Sequence, residues 1–285
     1  MNLELHTLDL SSNLLGETII EDFLFEKLDK LEILKLESNS IVSLPEKIFN
    51  ANKNLVKLFL NNNSIASLDK NIFLNLWKLE NLYLAMNDIS EINKHTFDSL
   101  KSLRMLSLSK NKLTSLHEEI LQNLNQLTHL YLQDNLLTRL PRGLLRNADN
   151  LQYLHLDGNK ISSLPAEIFT SCTLVSLGAS NNQLTKIENS FEHCSKLMTI
   201  DLSNNQMLSV SGDSFKMARS LQFVNLKNTN EQKCKNCSEP DQSCCLLCSA
   251  EYQNKETGCP NQLFGRSSRS HLSFHDNLID FLDNK

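Results

Sequence analysis

The sequence predicts an α/β solenoid. About ten units stack side by side, each giving one short strand to a parallel concave sheet and returning over a convex side of irregular or 3-10 segments. Three observations carry this expectation. Leucine makes up 55 of the 285 residues, far above its share in an average globular domain. The pattern LxxLxLxxN recurs along most of the chain in nearly constant register. A second series, mostly phenylalanine, follows the copies at a steady distance.

The pattern begins at Leu5-Leu8-Leu10-Asn13 and returns at Leu31-Leu34-Leu36-Asn39. It continues through Asn63, Asn87, Asn111, Asn135, Asn159, Asn182 and Asn205, in steps of 26, then 24 five times, then 23 twice. A tenth copy, Leu221-Val224-Leu226, has Thr229 in place of Asn. Alternate leucines of one face read as a short strand with its apolar side inward. No single copy closes a core, so the copies must stack. The Asn sits in the turn after the strand, where its amide both donates and accepts and joins backbone groups of adjacent turns. The second series, Phe49, Phe73, Phe97, Leu121, Leu145, Phe169, Phe191 and Phe215, fills the far side of the core. Pro45, Pro141 and Pro165 each stand four residues before a member of it.

These residues identify the leucine-rich repeat over roughly residues 3–230. The 24-residue form with LPxxxF resembles the typical repeats of extracellular proteins, among them Toll-like receptor ectodomains, small matrix proteoglycans and neuronal adhesion proteins. The resemblance implies a horseshoe whose concave sheet, or its edge, binds a partner. The family's cysteine-bearing N-terminal cap does not precede Leu5. Its C-terminal cap, Cys-x-Cys with a nearby tryptophan, does not stand after the tenth copy. An uncapped first repeat leaves leucines open to water. The chain therefore reads as a fragment of a longer receptor ectodomain. The other reading is an intact protein whose first copy, with its longer Gly16–Asp22 insertion, is the cap.

Three segments are expected: the repeats over 1–230, a cysteine-rich module over 231–260, and a polar, flexible tail over 261–285. In the repeats, equivalent strand positions form columns on the concave face. One column runs Asp9, Lys35, Phe59, Tyr83, Ser107, Tyr131, His155, Gly178, Asp201, Asn225. The column before it runs Thr7, Ile33, Lys57, Asn81, Met105, His129, Tyr153, Ser176, Thr199, Phe223. Both are expected to face solvent. The middle copies then gather Phe59, Tyr83, Met105, His129, Tyr131, Tyr153 and His155 in one patch, with Gln133 and Asp157 as a polar rim. Exposed aromatic side chains on a rigid strand suit a protein interface; the plainer reading is that aromatic residues favour strands.

Catalysis is not expected. His129, His155 and Asp157 have suitable metal-ligand chemistry, but their columns enforce no convergence, and no metal site or cofactor is expected. A Ser107, His129, Asp157 triad lacks an oxyanion hole and a closed pocket. No HExxH, GxSxG, Walker or GxGxxG motif is present.

Cys172 and Cys194 fall three residues after Phe169 and Phe191 and read as small core residues with free thiols, a bridge between neighbouring copies being the alternative. The other six, Cys234, Cys237, Cys244, Cys245, Cys248 and Cys259, form a separate module. Two CxxC pairs would suit zinc; six cysteines in a short segment would suit three disulfides, which the extracellular type of repeat favours. The stretch from Cys245 to Cys259 faintly resembles furin-like cysteine-rich modules, with Glu251 where glycine is usual. Sequons at Asn62 and Asn236 are candidate glycosylation sites. Arg266-Ser-Ser-Arg269 reads as linker rather than a basic cleavage site, and Leu278, Ile279, Phe281 and Leu282 form the tail's one apolar cluster.

Composition narrows the function. The formal net charge is −5 with 21% charged residues, so no basic excess meets a phosphate backbone and nucleic acid is not expected. No apolar run reaches the ~18–20 residues of a membrane span. Met1 to Leu10 lacks the charged start and apolar core of a signal peptide. Only 7 glycines weaken any phosphate-loop reading. The expected function is a non-catalytic binding module, the recognition part of a cell-surface or secreted protein, with a protein, microbial or glycan ligand and a homo- or heterodimer partner. The alternatives are a secreted matrix or adhesion protein, and an intracellular scaffold with a zinc-bearing tail.

Overall fold

A computed structural model describes residues 4–15, 24–169, 172–187, 191–207, 209–210, 215 and 218–229. The Gly16–Asp22 insertion, the six tail cysteines, Asn236 and the 261–285 segment lie outside the described residues. All described residues fall in the first of two compact units, 1–255.

The described residues form a solenoid built on a ten-stranded parallel sheet. Its strands are β1 (Thr7–Asp9), β2 (Ile33–Lys35), β3 (Lys57–Phe59), β4 (Asn81–Tyr83), β5 (Met105–Ser107), β6 (His129–Tyr131), β7 (Tyr153–His155) and β8 (Ser176–Gly178), followed by β10 (Thr199–Asp201) and β12 (Phe223–Asn225). They lie in the order of the chain. Register is the repeat register: Leu82 faces Leu106, which faces Leu130, which faces Leu154. Two further strands, β9 (Lys186–Ile187) and β11 (Ser209–Val210), pair in parallel as a small second sheet on the return segments. Nothing in the leucine pattern anticipates it. The other described returns are turns and irregular segments, and Ala166–Phe169 is a 3-10 turn.

The middle leucine of each strand points inward, and Leu34, Leu58, Leu82, Leu106, Leu130 and Leu154 are buried. Removing such a side chain from water is worth about 1.5–3 kcal/mol, which is why three-residue strands suffice once the copies stack. The far side of the core is a row of rings. Phe25, Phe49, Phe73 and Phe97 lie face to face at centroid spacings of 6.4, 6.4 and 6.2 Å. Phe25 joins the row from the longer first copy, where a fixed repeat spacing does not find it. Leu121 and Leu145 interrupt the row, and Phe169, Phe191 and Phe215 resume it.

The asparagine ladder closes the backbone inside each turn. Asn87 donates from Nδ2 to the Leu60, Leu84 and Ala85 carbonyls at 2.9, 3.1 and 3.2 Å, while its Oδ1 accepts the Ile65 N–H at 3.0 Å. Asn111, Asn135 and Asn159 repeat this set one copy further on each time. At the last described copy the Thr229 hydroxyl donates to the Leu226 carbonyl of its own turn. The residue just before each ladder position has a left-handed backbone: Ser12, Ser38, Asn62, Met86, Lys110, Asp134, Gly158, Asn181, Asn204 and Asn228. The polar short side chains among them tolerate this region best; Met86 and Lys110 occupy it because the stacked turn leaves no other path.

One expectation is corrected. Cys172 and Cys194 form a disulfide, with Cα atoms 4.8 Å apart. They hold equivalent positions in adjacent copies, so the strand spacing of the solenoid itself sets their separation within disulfide range. Asn52 holds the same column in an earlier copy, where Leu76, Leu100 and Leu124 stand in the later ones. It is buried, with Nδ2 donating to the Phe25 and Leu28 carbonyls at 3.0 and 2.9 Å.

Candidate binding face

The strand register sets the two concave columns side by side. Phe59 pairs with Tyr83, Tyr83 with Ser107, Ser107 with Tyr131 and Tyr131 with His155 in one. Asn81, Met105, His129 and Tyr153 follow one another in the other. The repeat arithmetic places both columns in water. Their position on the face holds, but exposure is lower than expected, because strands ~4.8 Å apart force neighbouring rings into contact. Phe59 and Met105 are each only 8% exposed.

The rings form flat pairs. Phe59 and Tyr83 stack at 4.5 Å, with the Lys35 ammonium 5.8 Å from the Phe59 centroid. His129 stacks on Tyr153 at 4.5 Å, and Tyr131 on His155 at 5.3 Å. His129 also lies 6.2 Å from Tyr131 in its own strand, so four rings share one cluster. Asn81 Nδ2 links the first pair to the next strand through Tyr83 Oη at 3.5 Å and Met105 Sδ at 3.7 Å. Burial pushes the Tyr131 phenol up to about 12, and the neighbouring Tyr83 and Tyr153 add to it.

His129 is half-buried within the cluster. Burial lowers its pKa below the ordinary 6.5, and the nearby His155 lowers it further. Its Nδ1 lies 2.8 Å from the Thr128 hydroxyl, whose own proton goes to the Arg104 carbonyl at 2.9 Å. The imidazole therefore donates from Nδ1.

Asp157 does not stand on a rim. It is buried, and its Oδ1 accepts both the backbone N–H and the hydroxyl of Ser180 at 2.9 Å. His155 Nδ1 lies 3.5 Å from its Oδ2. Burial opposes its ionisation, but His155 and the two Ser180 donors outweigh this and hold the carboxyl below the usual range. Gly178 makes the arrangement fit. A Cβ there would collide with Asp157 Oδ2 and come within 2.9 Å of His155 Nδ1. In the same polar column, Gln133 Oε1 is buried without a hydrogen-bond partner. Thr128, Gly178 and Ser180 carry no signal of their own in the sequence; only their neighbourhood in the stack gives them a role.

Asp157 is committed to His155 and Ser180, whereas His129 is committed to Thr128. Among the described residues no three His, Cys, Asp or Glu side chains gather as a metal site. Asn62, the sequon residue, is exposed on its turn and donates to Ser38 Oγ at 2.9 Å. Among the described residues no helix is long and apolar enough to cross a membrane.

Several solved structures share this fold. A chain of the Drosophila Toll–Spatzle complex in its glycosylated form is 26% identical, with a TM-score of 0.69 over 77% of this chain and 29% of that one. A chain of the TLR13–ssRNA13 complex is 26% identical, with a TM-score of 0.69 over 74% of this chain and 31% of that one. The chain thus spans about a third of the length of these proteins. A chain from the octameric complex of Latrophilin 3, Unc5D and FLRT2 is 22% identical, with a TM-score of 0.63 over 78% of this chain and 75% of that one, a likeness of fold. No curated protein sequence gives a significant match. Family profiles described as leucine rich repeat match residues 4–25 and, in overlapping segments, 29–230. The chain belongs to the leucine-rich repeat family.

Proposed function

We propose that this chain is a non-catalytic recognition module of an extracellular or cell-surface protein, similar in role to a Toll-like receptor, binding a protein ligand through the concave face of β4 to β7. The observation that carries the reading is the cluster His129, Tyr131, Tyr153 and His155, whose rings are stacked and held by the sheet before any partner arrives. Such a surface loses little ordering entropy on binding, and aromatic anchors supply much of an interface's energy. Phe59, Tyr83 and Met105 extend it, and Gln133 and Asp157 lie beneath it as polar support.

Two of the similar structures are named as protein complexes, Toll with Spatzle and FLRT2 with Latrophilin 3 and Unc5D. The TLR13 complex holds single-stranded RNA; a net charge of −5 on this chain favours protein over nucleic acid. The Cys172–Cys194 bridge favours an oxidising compartment, and with it the extracellular reading over an intracellular scaffold. In that setting Asn62 and Asn236 carry glycans, the tail cysteines pair as disulfides, and a second receptor chain is a natural dimer partner. A role in innate immunity follows from the likeness to Toll and TLR13 chains.

The test is a binding screen of the full secreted chain against secreted and cell-surface proteins, repeated with Tyr131→Ala and Tyr153→Ala. Truncating a central anchor costs about 2 kcal/mol, roughly 30-fold in Kd; thermal unfolding of each variant is measured alongside, because both rings are stacked in the cluster. Phe97→Ala is the control, costing about 3–5 kcal/mol of stability whatever the ligand. A partner bound equally well by both tyrosine variants would move the site off the concave face.

A further inference from the structure

A second surface breaks the repeat pattern, on the flank where the chain turns back toward the sheet. Trp77 and Leu74 are 44% and 55% exposed. Neither belongs to the core. The residues equivalent to Trp77 in the neighbouring copies are Lys53 and Lys101, then Asn125 and Asp149; those equivalent to Leu74 are Asn50, Asp98, Gln122 and Arg146. Every one is polar or charged, so the stack does not require an apolar side chain at either position. Two departures three residues apart, in one copy, place the chain's only tryptophan in water.

Three lysines stand beside them in the repeat register. The Lys53 ammonium sits 5.9 Å from the Trp77 ring centroid. Lys78 Nζ donates to Asn54 Oδ1 at 2.7 Å, one copy back. Lys101 occupies the next position of the Trp77 column. Among the described residues, none of these three ammonium groups lies within ion-pair distance of a carboxylate, whereas Lys35, Lys94, Lys112 and Arg104 all do. Glu80 pairs with Arg104, and Asp98 with His95 and Asn123. Asp29 bounds the column on one side and Asn125 on the other. On a chain of net charge −5, three ammonium groups without a carboxylate partner thus stand in register with an apolar centre.

We infer that this flank is a second docking surface, for a protein segment in which an apolar or aromatic side chain is flanked by Asp and Glu. The apolar residue would cover Trp77 and Leu74, and the carboxylates would pair with Lys53, Lys78 and Lys101. Tryptophan is among the residues enriched at interface hot spots, and the charges set register and on-rate. Two apolar side chains are too few to anchor the chain in a bilayer, where even a single myristoyl chain binds only marginally. The surface is separate from the concave face and does not depend on it.

Because Trp77 is the only tryptophan, its fluorescence reads this site alone. The full chain is titrated with a labelled synthetic peptide carrying a central Leu-Phe-Leu between runs of Asp and Glu. The expected result is a blue shift of Trp77 emission and lower acrylamide quenching, both diminished by high salt. Peptide anisotropy should show Lys53→Glu with Lys101→Glu weakening binding about ten-fold or more, and Tyr131→Ala leaving it unchanged. No shift, an equal response to a peptide with serines at its centre, or a response confined to phosphatidylserine vesicles would each overturn the proposal.

Discussion

Replacing Asn111 by leucine isolates the contribution of one rung of the ladder. Asn111 makes four bonds, but their loss is unequal. Its Nδ2 donates to the carbonyls of Leu84, Leu108 and Ser109 at 2.9, 3.1 and 3.2 Å. Each of these has a second donor: Asn87 Nδ2 for Leu84, Asn135 Nδ2 for Leu108 and the Met86 N–H for Ser109. The Ile89 N–H has no acceptor besides Asn111 Oδ1, at 3.0 Å. Leucine therefore leaves one buried N–H unpaired, at about 1–3 kcal/mol, not the sum of four bonds. For a domain of this size ~2 kcal/mol lowers Tm by about 4–8 °C. Asn111→Asp makes a sharper comparison. One carboxylate oxygen still accepts from Ile89, but the other faces three carbonyl oxygens, so protonation relieves the repulsion. That variant should be more stable relative to wild type near pH 4 than at pH 7. The assays are thermal unfolding and hydrogen exchange at the Ile89 amide. A leucine variant with wild-type Tm and unchanged Ile89 protection would refute this account of the turn.

Gly178→Ala should cost about 1–3 kcal/mol, because its Cβ displaces a buried carboxylate that holds Ser180; the check is chemical denaturation, with the His155 ring signals shifting in NMR. A non-reducing peptide map should join Cys172 to Cys194, and reduction should cost about 3 kcal/mol from the loop it opens. Free thiols on native secreted protein would contradict that bridge. On acidification, the depressed pKa of His129 means that the unfolded chain binds more protons below 6.5, so its contribution erodes as pH falls through 6.5 toward the folded value. Asp157 behaves likewise below 3.8. At the alkaline end Tyr131 favours the fold below pH 10 and loses that contribution as pH rises through about 12. Unfolding titrations with His129→Gln, Asp157→Asn and Tyr131→Phe should remove the respective slopes.

Much of the fold is legible because period and chemistry coincide. A leucine every second position, an Asn at the turn and a ring ten residues later each solve one problem of stacking, and the solenoid repeats the solution. The columns of the concave face come from the same arithmetic. What the period does not encode is how neighbours in a column share space. Phe59 and Met105 are covered by rings that the sequence places only on the same face, and Asp157 is buried because Gly178 in the next strand leaves room for it. The left-handed turn residue passes unnoticed because Asn, Ser, Met, Lys, Asp and Gly all stand there. The bond between Cys172 and Cys194 likewise depends on strand spacing, not on their separation along the chain.

The claim that recognition uses the concave face is tested most directly by hydroxyl-radical footprinting of the full chain with and without a protein partner. Three of the four tyrosines, Tyr83, Tyr131 and Tyr153, lie on that face with His129 and His155. Binding there predicts reduced oxidation of Tyr131, Tyr153 and His155, with Leu136 on the turn side unchanged. Protection of Leu136 or of the turn around Asn62, with Tyr131 and Tyr153 oxidised as in the free chain, would contradict it.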